Sequence, residues 1–333
     1  MACVTPSYFL EPVTLIKLVL LSWRSTVSSD EELLEVAGEY AMRRGEFGSR
    51  TTYRVGGTAR VVVEIPSEAV LAELTPALRA AGGPLFILGR GSNTLVADSG
   101  FDGIVLVLGS GFPAEMTIEA GSPARVTLPA HMSLPVAARQ LADQGLVGFE
   151  WAVGVPGSVG GATRMNAGGH GSDMAAVVTS SRVWNLATGR VDEWLPHDLG
   201  FGYRQSAIGV NDIVLSTCLE LQHGDADGAK QRLREIVAWR RAHQPGGSNA
   251  GSVFQNPESE SAGALIERCG LKGLRRGSAF VSEKHANFIQ VDDGGSADDV
   301  YSLMLHVAAT VKEMTGITLR SEIRTVGKFR ELT

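Results

Sequence analysis

The sequence predicts a mixed α/β fold, and two observations carry that prediction. From Val61 onward, short apolar runs with the look of strands alternate with helical segments. Two glycine-dense loops, Leu88–Gly100 (LGRGSNTLVADSG) and Phe149–Gly171 (FEWAVGVPGSVGGATRMNAGGHG), each lie near such a run. Glycine tolerates positive φ, so a loop rich in it can bend and bring backbone N–H groups against a ligand. Amides presented that way balance the charge of a pyrophosphate without side-chain bulk. Two such loops point to a large dinucleotide held on the scaffold.

The elements follow in order. Val61–Ile65 reads as a strand, and Pro66–Gly82 as a helix with Pro and Ser at its start and Gly at its end. Leu85–Leu88 and Ile104–Leu108 are short apolar strands bracketing the first glycine loop. Leu134–Gln144 is a helix with Ala137, Ala138 and Leu141 on one face and Gly145 as its stop; the long glycine loop comes next. Ser181–Leu221 mixes strand and turn. Asp225–His243 is a charged helix ended by the Pro-Gly-Gly of 245–247, a candidate domain boundary. Ala262–Cys269 is a short helix stopped by Gly270. In Ser296–Thr315, Ser296 can cap the helix, Asp298 and Asp299 sit in its first turn, and Gly316 ends it.

Bulk properties narrow the class. The 333 residues permit two or three domains, and 44% hydrophobic with 20% charged residues fits a globular enzyme. A net charge of −6 gives no electrostatic footprint for nucleic acid. Cys3, Cys218 and Cys269 are odd in number and far apart, which supports neither a disulfide framework nor a metal site. The histidines form no HxH or HExxH pattern, so no metal is expected. Val13–Leu21 is apolar but short, is interrupted by Lys17 and follows Glu11 rather than a basic region. It reads as part of an N-terminal extension, not an export signal. No later run reaches the roughly 18 apolar residues that span a bilayer.

Three further segments could carry chemistry, and each alone has an ordinary reading. Phe201–Ser206 (FGYRQS) sets an aromatic–arginine pair in a turn, compatible with a structural ion pair. Ala250–Pro257 (AGSVFQNP) places Ser252 after two small residues, without the GxSxG elbow of a serine hydrolase. Leu319–Gly327 (LRSEIRTVG) holds Glu322 between arginines, as a surface ion pair would.

Taken together and in order, the segments resemble a known family. Thr51–Gly57 (TTYRVGG), Leu88–Asn93 (LGRGSN), Gly154–Gly169, Tyr203-Arg204, Gly251–Pro257, Gly270–Gly273 (GLKG), Ala279–Ile289 (AFVSEKHANFI) and Glu322–Gly327 carry the resemblance. The chain is similar, from about Thr51 to Gly327, to the UDP-N-acetylenolpyruvoylglucosamine reductases of peptidoglycan-precursor synthesis, in their shorter type II form. The resemblance implies an α+β fold: a two-domain FAD-binding fold of the PCMH / vanillyl-alcohol-oxidase type plus a C-terminal α+β substrate-binding domain. The implied division is a weakly ordered extension at 1–30, FAD-binding domain 1 at 31–109 with 319–333, FAD-binding domain 2 at 110–223, and the substrate-binding domain at 224–318. The last strand, near Leu319–Val326, would return to the first domain and carry Glu322 into the site.

The resemblance also implies non-covalent FAD, held by Arg54, Gly56, Gly89, Gly91, Ser92 and Asn93 and by Gly154, Val155, Gly157, Gly160 and Gly161. NADPH would be the co-substrate. The implied reaction reduces an enolpyruvyl ether to a lactyl ether: hydride passes from flavin N5 to the β-carbon, and Ser252 gives a proton to C2. Arg204 and Glu322 complete the implied catalytic set. Tyr203, Asn256, Lys272 and His285 are the implied substrate-binding residues. The expected partner is a small UDP-sugar in the cytoplasm, with no nucleic acid, no membrane insertion, and a monomer or weak oligomer.

The chemistry explains those residue types. Hydride addition pushes negative charge onto C2 and its carboxylate, and a fixed cation or donor aimed there is worth roughly 3 kcal/mol. Arg204 keeps its charge and binds carboxylate bidentately. Glu322 assists if burial beside an anionic substrate keeps it protonated. A serine hydroxyl is a weak acid, but a carbanion-like centre is a strong base, so Ser252 matches its task.

Departures from the family pattern are Gln255 for Lys, Ser278 for Gly, Val291 for Asn and Ser321 for Pro; they bear on substrate contacts and leave Arg204, Ser252 and Glu322 intact. The nearest rival is a flavin-dependent alcohol or sugar oxidase of the same FAD-binding fold. Such enzymes often tether flavin through His or Cys in the first glycine loop, and GRGSN has neither. A nucleotide-binding protein without catalysis is the rival from another class.

Overall fold

The structure is a computed structural model that describes residues 29–109, 111–113 and 115–330. The apolar run Val13–Leu21 and the extension expected at 1–30 lie outside the described residues, except that Ser29 and Asp30 begin the first helix.

The first region comprises α1 (Ser29–Ala37), β1 (Ala41–Arg43), β2 (Ala59–Ile65), α2 (Glu68–Ala81), β3 (Leu85–Leu88), β4 (Thr94–Val96) and β5 (Phe101–Leu108). A four-stranded sheet runs β1-β2-β5-β3, with β2 and β3 parallel to β5 and β1 antiparallel to β2. Ser67 caps α2, its hydroxyl accepting from the Val70 N–H at 3.3 Å, and Gly82 ends it at φ +60°. The apolar face of α2 (Leu71, Leu74, Leu78) packs with Ile104 and Leu106 of the sheet. Trp184 and Ile213 of the second region join the same core.

That second region holds β6 (Thr117–Glu119), β7 (Ala124–Pro129), α3 (Leu134–Asp143), β8 (Leu146–Val147), α4 (Val159–Met165), β9 (Gly168–Gly169), β10 (Ser172–Asp173), β11 (Val178–Asn185), β12 (Arg190–Trp194), α5 (Pro196–Leu199), β13 (Asp212–His223) and α6 (Ala226–His243). Its antiparallel sheet has the order β12-β11-β13-β7-β6, with β8 also paired to β13. Leu128, Leu134, Leu141 and Leu219 form the core, and α6 adds Ala229, Leu233 and Ile236 to it.

The long glycine segment is not loop throughout, because α4 forms inside it. The Ser158 hydroxyl accepts from the Gly161 N–H at 3.3 Å, which starts the helix. Gly160 lets that helix lie against β7, since a Cβ there would sit 3.0 Å from Ala130 Cβ. Asn166 ends it in the left-handed region at φ +40°. The Asn166 amide then donates to Asp173 at 3.1 Å and to the Gly202 carbonyl at 3.0 Å, tying the glycine segment to the Tyr203-Arg204 turn.

The third region contains α7 (Ala262–Arg268), the antiparallel meander β14 (Arg275–Arg276), β15 (Ala279–Val281) and β16 (Ile289–Val291), then α8 (Ala297–Thr315) and β17 (Arg324–Val326). Its core is shared with the first region: Tyr53, Val55 and Leu95 pack with Val253, Phe254, Ile266 and Leu303. The buried Tyr53 hydroxyl donates to the Ile289 carbonyl at 3.1 Å. The Asp98 carboxylate accepts from the Ala297 and Asp298 N–H groups at 3.0 and 3.1 Å, bracing the start of α8. Regular pairing in the last strand covers only Arg324–Val326, parallel to β4. Before it the chain is irregular, anchored by a single bridge between Ser321 and Phe254.

Candidate active site

The two glycine loops form one wall by touching each other. A Cβ on Gly89 would lie 2.3 Å from the Ser158 hydroxyl, so a side chain in the first loop there would displace the group that caps α4. Gly91 sits at φ +63°, where a Cβ would also come within 2.7 Å of the Arg50 carbonyl. Beside them opens a cavity of about 540 Å³, and a second of about 410 Å³ adjoins it. Ile87, Gly89, Arg90, Ser158, Gly161 and Arg164 line both. Cavities of this size suit an extended cofactor.

Side chains from three distant segments complete the lining. Arg204 lies in a tight turn at φ +57°, unusual for a residue with a side chain. Its guanidinium donates to the Gly168 carbonyl at 3.2 Å, and its Nε stands 2.9 Å from Glu322 Oε1. Glu322 is set by the irregular stretch before β17: its N–H donates to the Val253 carbonyl, and its carbonyl accepts from the Asn93 amide at 3.0 Å. Burial pushes the Glu322 carboxyl above the ordinary carboxylate range, against the opposing pull of Arg204. Ser252 completes the set. It follows Gly251 at φ +77°, and the buried Asn287 holds the next residues, its carbonyl accepting from Val253 N–H and its side chain bonded twice to Phe254. The Ser252 hydroxyl lines the cavity and has no protein partner among the described residues.

The electrostatics favour an anion. Arg90, Arg164, Arg240 and Arg324 line the first cavity, and none has a carboxylate partner among the described residues. Burial lowers the pKa of Arg164 and Arg240. His170, at the cavity edge, is held below its usual range by burial and then by Arg240 and Arg232. Gln244, which lines the first cavity, and His131, which lines the second, each carry a buried polar atom without a protein partner, Oε1 and Nδ1. The glycine cradle and the unpaired arginines fit a large phosphorylated group. Among the described residues no cluster of His, Cys, Asp and Glu could hold a metal ion.

The structure brings together Gly89, Gly91, Ser92, Asn93, Val155, Gly157, Gly161, Arg204, Ser252 and Glu322 around the first cavity, with Gly160 on the second. It does not bring Arg54, Gly56, Gly154, Tyr203, Asn256, Lys272 or His285 to either lining. Gly56 serves packing, as a Cβ there would lie 2.2 Å from the Val96 carbonyl. Gly154 lies against Ile236 and Arg240 of α6. Arg54 is exposed at φ +58°, and Tyr203 stacks its exposed ring on the Arg204 guanidinium at 5.0 Å. Asn256 accepts from the Ala262 N–H at 3.1 Å, Lys272 pairs with Glu267 at 2.8 Å, and His285 packs on Phe288. Of the departures from the family pattern, Ser278 is structural: its hydroxyl donates to Asp299 at 2.7 Å and accepts from Ser296 N–H.

Sequence reasoning missed Arg164, Trp239, Arg240, Gln244 and Arg324, all of which line the first cavity. Arg164 and Arg324 lay inside quoted motifs, and their charge in an otherwise apolar or small-residue setting was the available signal. Nothing in the charged helix marked Trp239 or Arg240 apart from its other residues.

Comparison with known proteins agrees with this geometry. Residues 59–193 match the FAD binding domain family, which makes the protein a FAD-binding protein. Residues 243–326 match the C-terminal domain of UDP-N-acetylenolpyruvoylglucosamine reductase. The chain is 42% identical over 293 residues to the reductase 2 of that name from Symbiobacterium thermophilum, covering 86% of this chain and 92% of the relative. It is 35% identical to that of Bacillus subtilis, covering 90% and 98%. The crystal structure of the reductase from Thermus caldophilus superposes with a TM-score of 0.71 at 32% identity, covering 86% of this chain and 98% of that one. The chain belongs to the UDP-N-acetylenolpyruvoylglucosamine reductase family. Its fold is the expected FAD-binding fold of the PCMH / vanillyl-alcohol-oxidase type with a C-terminal α+β domain, and membership sets the oxidase reading aside.

Proposed function

We propose that the protein reduces UDP-N-acetylglucosamine enolpyruvate to UDP-N-acetylmuramate with FAD and NADPH, as a cytoplasmic enzyme. One observation carries the reading: Arg204, Ser252 and Glu322, far apart in sequence, line a single cavity together with the two glycine loops. We place the FAD-binding halves at 31–109 with 319–333 and at 110–223, and the substrate-binding domain at 224–318. Helix α6, within the last range, buries its apolar face in the second core.

Bound FAD would supply hydride transfer between NADPH and the enolpyruvyl β-carbon. The glycine loops would hold it, with Gly89, Gly91, Ser92 and Asn93 on one side and Val155, Gly157 and Gly161 on the other. Arg204 holds a charge-assisted contact to Glu322 that fixes its guanidinium, and it would meet the substrate carboxylate as charge grows on C2. Glu322, kept toward its neutral form by burial, would stabilise the same enolate-like charge. Ser252, with no internal partner for its hydroxyl, would give the proton to C2 and regain one from solvent. Phe288 and Leu134 line the same cavity and would help exclude water. Tyr203, Asn256, Lys272 and His285 would act only if the UDP portion extends beyond the lined cavity.

The direct test is product analysis. FAD-loaded protein should convert the enolpyruvyl nucleotide to a product carrying two more hydrogens, only when NADPH is supplied. NADPH oxidation that ignores the nucleotide and consumes O2 instead would overturn the reading.

A further inference from the structure

The two cavities share part of their lining, and one side chain there stands out. Arg164, at the end of α4, lines both cavities. It is half-buried, yet no ion pair or side-chain hydrogen bond holds its guanidinium among the described residues. The one backbone contact at this residue uses its carbonyl, which accepts from the Ser206 hydroxyl at 2.7 Å.

The surrounding charges do not satisfy it. Arg324 is close enough to oppose its charge. Asp212, on the wall of the second cavity, attracts it from beyond ion-pair distance, and its carboxylate is already engaged by the Asn185 amide at 2.7 Å and the Gly209 N–H at 2.8 Å. Glu64, also on that wall, is paired with Arg50. Arg90 is the other cation that lines both cavities, and it too lacks a carboxylate partner among the described residues. A partly desolvated guanidinium facing like charges needs an anion, and its planar fork suits phosphate oxygens.

We propose that Arg164, seconded by Arg90, grips the diphosphate of the bound dinucleotide at the shared lining of the two cavities. The flavin end would then lie in the larger cavity beside Ser252, and the adenosine end in the smaller one beside His131. This rests on the FAD reading above and deepens it, because it gives the pyrophosphate a side-chain clamp in addition to the backbone of the glycine loops. Gly89 and Ser158 belong to the same shared lining, so the clamp and the glycine contact act on one stretch of ligand.

The test uses flavin-stripped protein and the quenching of FAD fluorescence, with ADP and adenosine as competitors. Arg164→Met should weaken FAD and ADP binding about tenfold or more, the loss of a charge-assisted contact to phosphate, and leave adenosine competition unchanged. Arg164→Lys should recover part of the loss, and Arg90→Met should show a smaller one. The affinity of the wild-type protein should fall with added salt more steeply than that of Arg164→Met. A thermal unfolding midpoint of each stripped variant near wild type separates lost contact from lost fold. FAD affinity within twofold of wild type in Arg164→Met, or an equal loss for adenosine, would overturn the clamp while leaving the FAD reading standing. Wild-type protein that binds neither FAD nor ADP would overturn the reading on which the clamp rests.

Discussion

The two walls of the cavity are built by opposite means. The glycine wall removes side chains: a Cβ on Gly89 would meet the Ser158 hydroxyl of the second loop, and one on Gly91 would meet the Arg50 carbonyl. The catalytic wall does the reverse, crowding Arg204, Ser252 and Glu322 into one place from a turn, a loop and an irregular strand end. One wall is a local property of composition; the other exists only after long-range pairing. That difference predicts how each should fail. Substitutions in the catalytic wall should spare cofactor binding and slow chemistry, and substitutions in the glycine wall should lose cofactor and stability together.

The largest expected effect is at Ser252. Ser252→Ala should leave flavin bleaching by NADPH nearly intact and slow recovery by the enolpyruvyl nucleotide by about 10²–10⁴-fold, the range for a lost general acid. Equal loss in both half-reactions, read by stopped flow, would remove Ser252 from proton donation. Arg204→Met should cost about 3 kcal/mol of transition-state stabilisation in kcat/KM for the nucleotide. Arg204→Lys should recover little, because a lysine cannot reproduce the contacts to both Gly168 and Glu322. A lysine variant at wild-type rate would show that charge alone suffices there.

In the glycine wall, Gly89→Ala should weaken FAD retention and destabilise the fold by about 1–3 kcal/mol, since its methyl meets the Ser158 hydroxyl. Chemical unfolding of the stripped and loaded protein measures both. Because Ser158 caps α4, Ser158→Gly is measured alone as well: a double variant that binds FAD as well as Ser158→Gly alone would confirm the clash, and one that binds it as weakly as Gly89→Ala would locate the defect elsewhere.

The smallest effect concerns Glu322 and pH. Its folded pKa is raised, chiefly by burial, so the native state keeps a proton that the unfolded chain has already released. Stability therefore falls as pH rises from the unfolded carboxylate value, about 4.3, through the higher folded value. Glu322→Gln should flatten that part of the stability–pH curve. A variant whose curve parallels wild type from about pH 4 to pH 8 would contradict the raised value.

The contrast between the walls also explains what the sequence could disclose. Helix ends marked by Ser67, Gly82, Asp225 and Gly316 were legible because capping is local chemistry. The glycine loops were legible for the same reason, although α4 inside the second was hidden by its glycines, which usually argue against a helix. The family motifs marked Arg204, Ser252 and Glu322, but residue patterning alone left each an ordinary residue. Their convergence depends on β17 pairing with β4 and on Asn93 bonding to the Glu322 carbonyl, contacts between segments more than two hundred residues apart. Arg240 went unread, and the charge of Arg164 among small residues was not weighed, because a cation's lack of a partner shows only in the folded surroundings.

The most direct test of the account is an anaerobic stopped-flow record of the FAD-loaded protein at the oxidised-flavin band, roughly 450 nm, first with NADPH and then with the enolpyruvyl nucleotide. The account predicts bleaching by NADPH followed by recovery on adding the nucleotide. Bleaching that the nucleotide cannot reverse would contradict it.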